Sequence, residues 1–254
     1  MVKFVNYYIE KRIIRMRFVS LISAVLFLTT MSGYKVSAQN VYDGYGHQEF
    51  RDAVRLYDNA MFDRSRSLFD EISKGSDSAD PEGFSVLGQV RSALPGYEAA
   101  MDSFCERNPH SVHVPQIRLH HAMNLFDRHD YKSAGEVLES IDVDRLHKSQ
   151  RTDYLFRKAY CDLENRNLDS AKSNFSLVES SHVSDYASPS RYALGYINYV
   201  QRNFSDAIGW FEKARKDGRF SQMSCYYIME SRFMLGDHKY VTENGDTMYE
   251  SVPE

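Results

Sequence analysis

A chain of 254 residues, 43% hydrophobic and 13% aromatic, carries enough apolar material for an extended folded core, which excludes wholesale disorder. The first 38 residues hold Lys3, Lys11, Arg12, Arg15, Arg17 and Lys35 against Glu10 alone, so a formal net charge of −4 conceals a strongly acidic body. Such a body repels phosphate backbones and excludes nucleic acid as the expected partner.

In chain order, residues 1–38 read as an export signal. Basic residues from Lys11 to Arg17 precede an apolar run from Phe18 to Met31, and Val36-Ser37-Ala38 puts small residues where a signal peptidase reads them. Cleavage is expected after Ala38. The apolar run is short of the ~20 residues that cross a bilayer as a helix. Met16 stands immediately before a compact version of this signal and offers a second start, with residues 1–15 as an upstream extension. Residues 39–45 then form a flexible lead-in.

From residue 46 one pattern recurs in six copies, bounded at 46–80, 81–114, 115–151, 152–187, 188–221 and 222–254. Each copy has a helix with a small residue, a short turn, and a second helix carrying a small residue and an aromatic or leucine four positions later. The fifth copy is clearest, with Gly195, Asn203-Phe204, Ala207 and Phe211. Its counterparts are Ala53, Phe62, Ser65, Phe69; Gly88, Tyr97, Ala100, Phe104; Ala122, Tyr131, Ala134, Leu138; and Ala159, Leu168, Ala171, Phe175. The sixth, with Met229, Val241 and Gly245, departs most. The second-helix marker, at residues 65, 100, 134, 171, 207 and 241, repeats about every 34 positions, as stacked helical hairpins do. Small residues let the paired backbones approach while the aromatic wedges between hairpins, and stacking supplies the stability that one hairpin lacks. Apolar residues three and four apart, as in Tyr192, Gly195, Tyr196 and Tyr199, favour helix, and no run alternates as a strand would.

Catalytic chemistry finds no foothold. Cys105, Cys161 and Cys225 lie too far apart for a zinc or disulfide framework and read as small apolar helix residues. His120 and His121 are adjacent and therefore point to different helix faces, so with His110 and His113 they form no ligand set and no metal is expected. Neither a nucleotide loop nor a nucleophile motif occurs, and no cofactor is implied.

The recurring residues resemble the tetratricopeptide repeat over residues 46–250. That resemblance implies an all-α, right-handed superhelical solenoid whose role is to bind protein segments and not to catalyse. Carried over residue by residue, its concave positions are Phe50, Val54 and Tyr57; Ser85, Gln89 and Ser92; Leu119, Met123 and Phe126; Phe156, Tyr160 and Leu163; Tyr192, Tyr196 and Tyr199; and Tyr226, Glu230 and Phe233. The expected peptide-binding groove is the aromatic subset Phe126, Phe156, Tyr160, Tyr192, Tyr196, Tyr199, Tyr226 and Phe233. The stretches Ala60–Ile72, Pro95-Gly96-Tyr97-Glu98 and Pro115–Phe126 further resemble the N-terminal part of large exported envelope proteins of this type. This implies a periplasmic or outer-membrane-associated scaffold with a protein partner in the envelope, peripherally associated with outer-membrane proteins. A tyrosine-lined groove also suits sugars, so a carbohydrate-binding accessory protein is the alternative expectation.

Overall fold

The computed structural model describes residues 48–181 and 183–250; the expected signal and lead-in lie outside the described residues. Twelve α-helices run through them with no strand: α1 (Gln48–Asp58), α2 (Phe62–Ser73), α3 (Asp80–Arg91), α4 (Tyr97–Arg107), α5 (Val114–Asp127), α6 (Tyr131–Glu139), α7 (Lys148–Glu164), α8 (Leu168–Ser180), α9 (Ser184–Val200), α10 (Phe204–Ala214), α11 (Gly218–Met234) and α12 (His238–Glu250). Odd and even helices pair as six hairpins. Each hairpin packs on the next, and first helices of adjacent hairpins touch along the middle and end of the stack.

One turn makes all six hairpins. Every first helix closes on a residue in the left-handed region: Ala60, Ala93, His129, Arg166, Arg202 and Gly236, with φ between 48° and 80°. The N–H of that residue bonds the carbonyl three positions back, and the next N–H bonds the carbonyl five positions back, at 2.8–3.1 Å throughout. This double closure satisfies the last carbonyls of the helix and turns the chain sharply into the second helix. Glycine is the usual occupant of the left-handed position, yet five of these six are other residues.

The hairpin interior follows from the small-and-large pairing. A Cβ built on Gly195 of α9 would stand 2.8 Å from Cδ1 and Cε1 of Phe211 in α10, so the two backbones meet as closely as that ring allows. Ser65, where the next four copies have alanine, is buried and its hydroxyl donates to the Ala53 carbonyl at 2.9 Å, so the polar atom is satisfied inside the first hairpin. The sixth hairpin reverses the pairing, with Met229 in the first helix and Gly245 in the second, and a Cβ on Gly245 meets nothing within 4 Å.

Three expectations are corrected. In the second hairpin, Leu94-Pro95-Gly96 lengthen the turn, and α4 opens four residues after the left-handed Ala93 where the other second helices open after two. Counting back from α4 therefore lands two residues late: the counterpart of Ala53 is Val86 and not Gly88, and the counterparts of Phe50, Val54 and Tyr57 are Gly83, Leu87 and Val90, not Ser85, Gln89 and Ser92. Helices α7, α9 and α11 begin four residues ahead of the expected copy starts at 152, 188 and 222; at α7 and α11, His147 and Asp217 cap the earlier turn by accepting from Ser149 N–H and Arg219 N–H, whereas α9 opens after Val183 with no side-chain cap. Asp153 is thus an interior residue of α7 and Gly218 the first residue of α11. Cys161 is buried as expected, whereas Cys105 and Cys225 are only partly covered.

Candidate interaction surface

The left-handed turn gives each first helix a common ruler. Residues ten, seven and three positions before it form the stripe that faces the neighbouring elements. Seven before, Ala53, Ala122, Ala159 and Gly195 meet their own second helices, and Val86 and Met229 hold that position in the second and sixth hairpins. Ten and three before lie Phe50 and Tyr57, Leu119 and Phe126, Phe156 and Leu163, all buried. The expected groove therefore divides. Phe126, Phe156, Tyr160 and Tyr192 are core: Phe126 packs edge-on against Tyr160 at 5.3 Å, Phe156 against Phe175 and Tyr186 at 5.7 and 5.0 Å, and Tyr192 against Phe211 and Phe220 at 5.5 and 5.4 Å. These rings stabilise stacking and offer no face to a partner in the folded chain. Burial drives the Tyr192 phenol well above its ordinary range and does the same to Tyr160, where Glu164 and Tyr131 add to the effect.

Tyr196, Tyr199 and Tyr226 are half-buried, and Phe233 is exposed. The three tyrosines surround Tyr227, which the sequence pattern passed over. Its ring lies 5.9 Å from Tyr196, 5.0 Å from Tyr199 and 5.3 Å from Tyr226, and it stacks on Phe211 at 5.1 Å and 8°. The buried Tyr227 is the floor and its neighbours are the open rim. The tyrosine surface thus spans α9 and α11, with one apolar side fixed in the core and three tyrosines partly exposed.

Between hairpins three and four the same face is polar. Arg157 of α7 is 1% exposed. Its Nε donates to both oxygens of Asp153 at 3.1 and 3.2 Å, Asp127 stands 3.6 Å from Nη1, and the guanidinium lies 5.0 Å over the Phe126 ring. Tyr186 donates from its hydroxyl to Asp153 Oδ1 at 2.8 Å, which ties α9 into the cluster. Burial works against the Arg157 charge, but the carboxylates of Asp153 and Asp127 outweigh it and hold the guanidinium above its ordinary range. His120 of α5 is pushed down to about 3, by burial first and then by Arg91 and Arg157. It is a neutral spacer between two cations. Arg91 itself lies across the Tyr57 and Phe62 rings at 5.0 and 4.8 Å.

None of these polar residues stood among the expected site positions. Arg157 and His120 sit nine residues before the left-handed turn of their hairpin and Asp127 and Arg91 two before, one helical step beyond the aromatic stripe, and the signal that marks the cluster is the spacing of four from Asp153 to Arg157 within α7. Among the described residues no three His, Cys, Asp or Glu side chains converge as a metal site would require. Cys161 is pushed up to about 12 by burial, then by Asp162, which leaves the thiol protonated and unreactive.

Six two-helix hairpins closed by one repeated turn, most with a small residue in the first helix and an aromatic or leucine wedge in the second, make this a helical-repeat solenoid of tetratricopeptide-like build. No protein-family model matches the chain, and no curated protein matches it. Among solved structures the chain is similar to a thermophilic tetratricopeptide-repeat protein of Thermus thermophilus, at 13% identity and a TM-score of 0.37, over 71% of this chain and 97% of that one.

Proposed function

We propose that the chain is a non-catalytic interaction scaffold that holds a segment of a partner protein on the tyrosine surface of its last two hairpins. The observation that carries this reading is the cluster around Tyr227. In the first helices up to α7 the aromatic stripe closes into core, whereas Tyr196, Tyr199 and Tyr226 are only partly covered around the buried Tyr227. Amphipathic rings fixed from behind give contact area at low entropic cost, the arrangement that suits an apolar or helical peptide. The acidic body and the signal-like N-terminus support an exported scaffold of the cell envelope, periplasmic or associated with the outer membrane, as the setting. A photoreactive phenylalanine analogue placed at Tyr196 in the native host tests it, with the same probe at the exposed second-helix residue Ser173 as control. A discrete protein adduct specific to position 196 is expected; equal labelling from both positions contradicts the proposal.

The carbohydrate-binding alternative draws on the same tyrosines, since sugars also stack on phenol rings. Glycan-array binding by the chain, lost in Tyr196→Ala, would favour it.

A further inference from the structure

At four of the five joints between hairpins, the second helix of one hairpin packs along the first helix of the next: α2 on α3, α6 on α7, α8 on α9 and α10 on α11. The joint between hairpins two and three is built otherwise. Among the described residues α4 and α5 barely touch, and the first helices α3 and α5 meet more extensively than any other neighbouring pair of first helices. In place of the usual packing lies a cleft of about 290 Å³ between α4 and α5, lined by Met101, Asp102, Cys105 and Glu106 on one wall and Arg118 on the other. The longer Leu94-Pro95-Gly96 turn accompanies it, with α4 opening four residues after Ala93 where the other second helices open after two.

What holds this joint is concentrated on its α3 side. Gly83, ten before Ala93, stands where other hairpins have Phe50, Leu119, Phe156 and Tyr192, and the ring of His113, 3% exposed, fills the place of its missing side chain. A Cβ on Gly83 would overlap that ring. His113 lies 4.6 Å from Phe84, and its Nε2 is 3.4 Å from Asp80 Oδ1. Asn124 Nδ2 donates to the Val90 carbonyl at 2.7 Å. The first turn of α4 adds two ties, the Tyr97 hydroxyl to His121 Nδ1 at 2.8 Å and Glu98 to Arg128 at 3.9 Å. Beyond that turn the cleft separates α4 from α5, bridged by Arg118, which reaches the Cys105 thiol and donates to the Ser140 carbonyl at 3.1 Å.

Other joints are locked by rings. Phe69 and Phe84 stack at 4.9 Å between hairpins one and two, Phe156 meets Tyr186 at 5.0 Å between four and five, and Phe211 stacks on Tyr227 at 5.1 Å between five and six. A close-packed joint of that kind bends only by forcing side chains out of place. Polar ties beside a cleft exchange with water at small net cost, which makes theirs the softer joint.

We infer that the solenoid is hinged between its second and third hairpins. Hairpins one and two swing as one body about the contact of α3 with α5, with His113 seated against Gly83 as the pivot and the cleft between α4 and α5 as the room for the swing. The movement changes the angle at which the first-helix face of hairpins one and two meets that of hairpins three to six, so the chain can fit this face to partners of different width. The tyrosine surface lies wholly on one side of the hinge, and the inference does not rest on the function proposed above.

Double electron-electron resonance between spin labels on the full chain tests it. The background carries Cys105→Ser and Cys225→Ser, while Cys161 is fully buried and takes no label. All label sites are exposed residues of second helices. Ser103→Cys with Ser173→Cys spans the hinge and the joint between hairpins three and four; Glu136→Cys with Gly209→Cys spans that same joint and the one after it. Excess breadth in the first pair therefore belongs to the hinge. Its distance distribution is expected to be about twice as broad as that of the second pair, and to stay so when the label moves from Ser103 to Ala99, which separates hinge motion from wobble of one label. Equal widths, a broader second pair, or a width that collapses with the label at Ala99 would each overturn the inference.

Discussion

Replacing Gly195 by alanine sets two effects of known size against each other. Alanine inside a helix is favoured over glycine by ~1 kcal/mol, so on propensity alone α9 gains. Packing opposes it: the new methyl would stand 2.8 Å from Cδ1 and Cε1 of Phe211 and 3.0 Å from Cγ. That ring cannot retreat, because it is fully buried, stacked on Tyr227 at 5.1 Å and met edge-on by Tyr192 at 5.5 Å. Overpacking of this kind costs ~1–3 kcal/mol. Gly209, in the middle of α10, is the internal control, since a Cβ there meets nothing within 4 Å. Gly209→Ala therefore takes the propensity gain alone, and the gap between the two variants isolates the packing cost at ~1–3 kcal/mol. Urea unfolding followed by circular dichroism reads it directly. A shift for Gly195→Ala in the same stabilising direction and of the same size as Gly209→Ala would refute the close approach of α9 and α10.

Further outcomes follow from the turn and the polar cluster. Arg202→Gly, at φ 62°, relieves the left-handed strain of a branched backbone position and should gain ~0.5–1 kcal/mol after the greater unfolded-state entropy of glycine is subtracted; a lower melting temperature contradicts it. Asp153→Ala strands the buried Arg157 and should cost ~3 kcal/mol, much of it recovered by adding Arg157→Met, and additive losses in the double-mutant cycle would speak against the pair. His120 has a folded pKa of about 3, below its ordinary value, so the unfolded chain takes up a proton that the folded chain refuses. Stability is thus fully present above pH ~6.5 and falls as pH drops from there toward about 3, by at most ~1.4 kcal/mol per unit. His120→Gln should flatten that slope between pH 7 and 5, and an unchanged slope would remove His120 from the account.

The architecture was legible because recurrence at one period is a property of residue type: Ala171, Ala207, Phe175 and Phe211 are what two close backbones and a wedge require. The second hairpin misled because Pro95-Gly96 lengthen the turn, and a count taken from the second helix cannot sense two residues inserted between the helices. The left-handed turns were invisible for a related reason. Arg166, Arg202 and His129 carry none of the glycine signature that marks such positions, and only the six-fold repetition of the geometry reveals them. At the candidate site, sequence identified the aromatic stripe but not its depth. Tyr192 and Tyr196 are one helical turn apart on the same face, and burial divides them because only the former is walled in by Phe211 and Phe220. Tyr227 escaped notice since the ruler pointed to its neighbour Tyr226, and the Arg157 cluster escaped because it lies one step off the stripe.

The most direct test of the central claim compares stability with partner capture in Tyr196→Ala combined with Tyr199→Ala. Partner capture is measured as the yield of the adduct from a photoreactive analogue at Tyr226, and stability as the thermal midpoint of the same protein. Half-open rim rings lost from a binding surface should lower the midpoint by only a few degrees, of the order of 1 kcal/mol in a domain of this size, while the adduct falls about tenfold. A large drop in the midpoint with an undiminished adduct from the fraction that stays folded would show that these tyrosines are core like Tyr192, and that the working surface lies elsewhere.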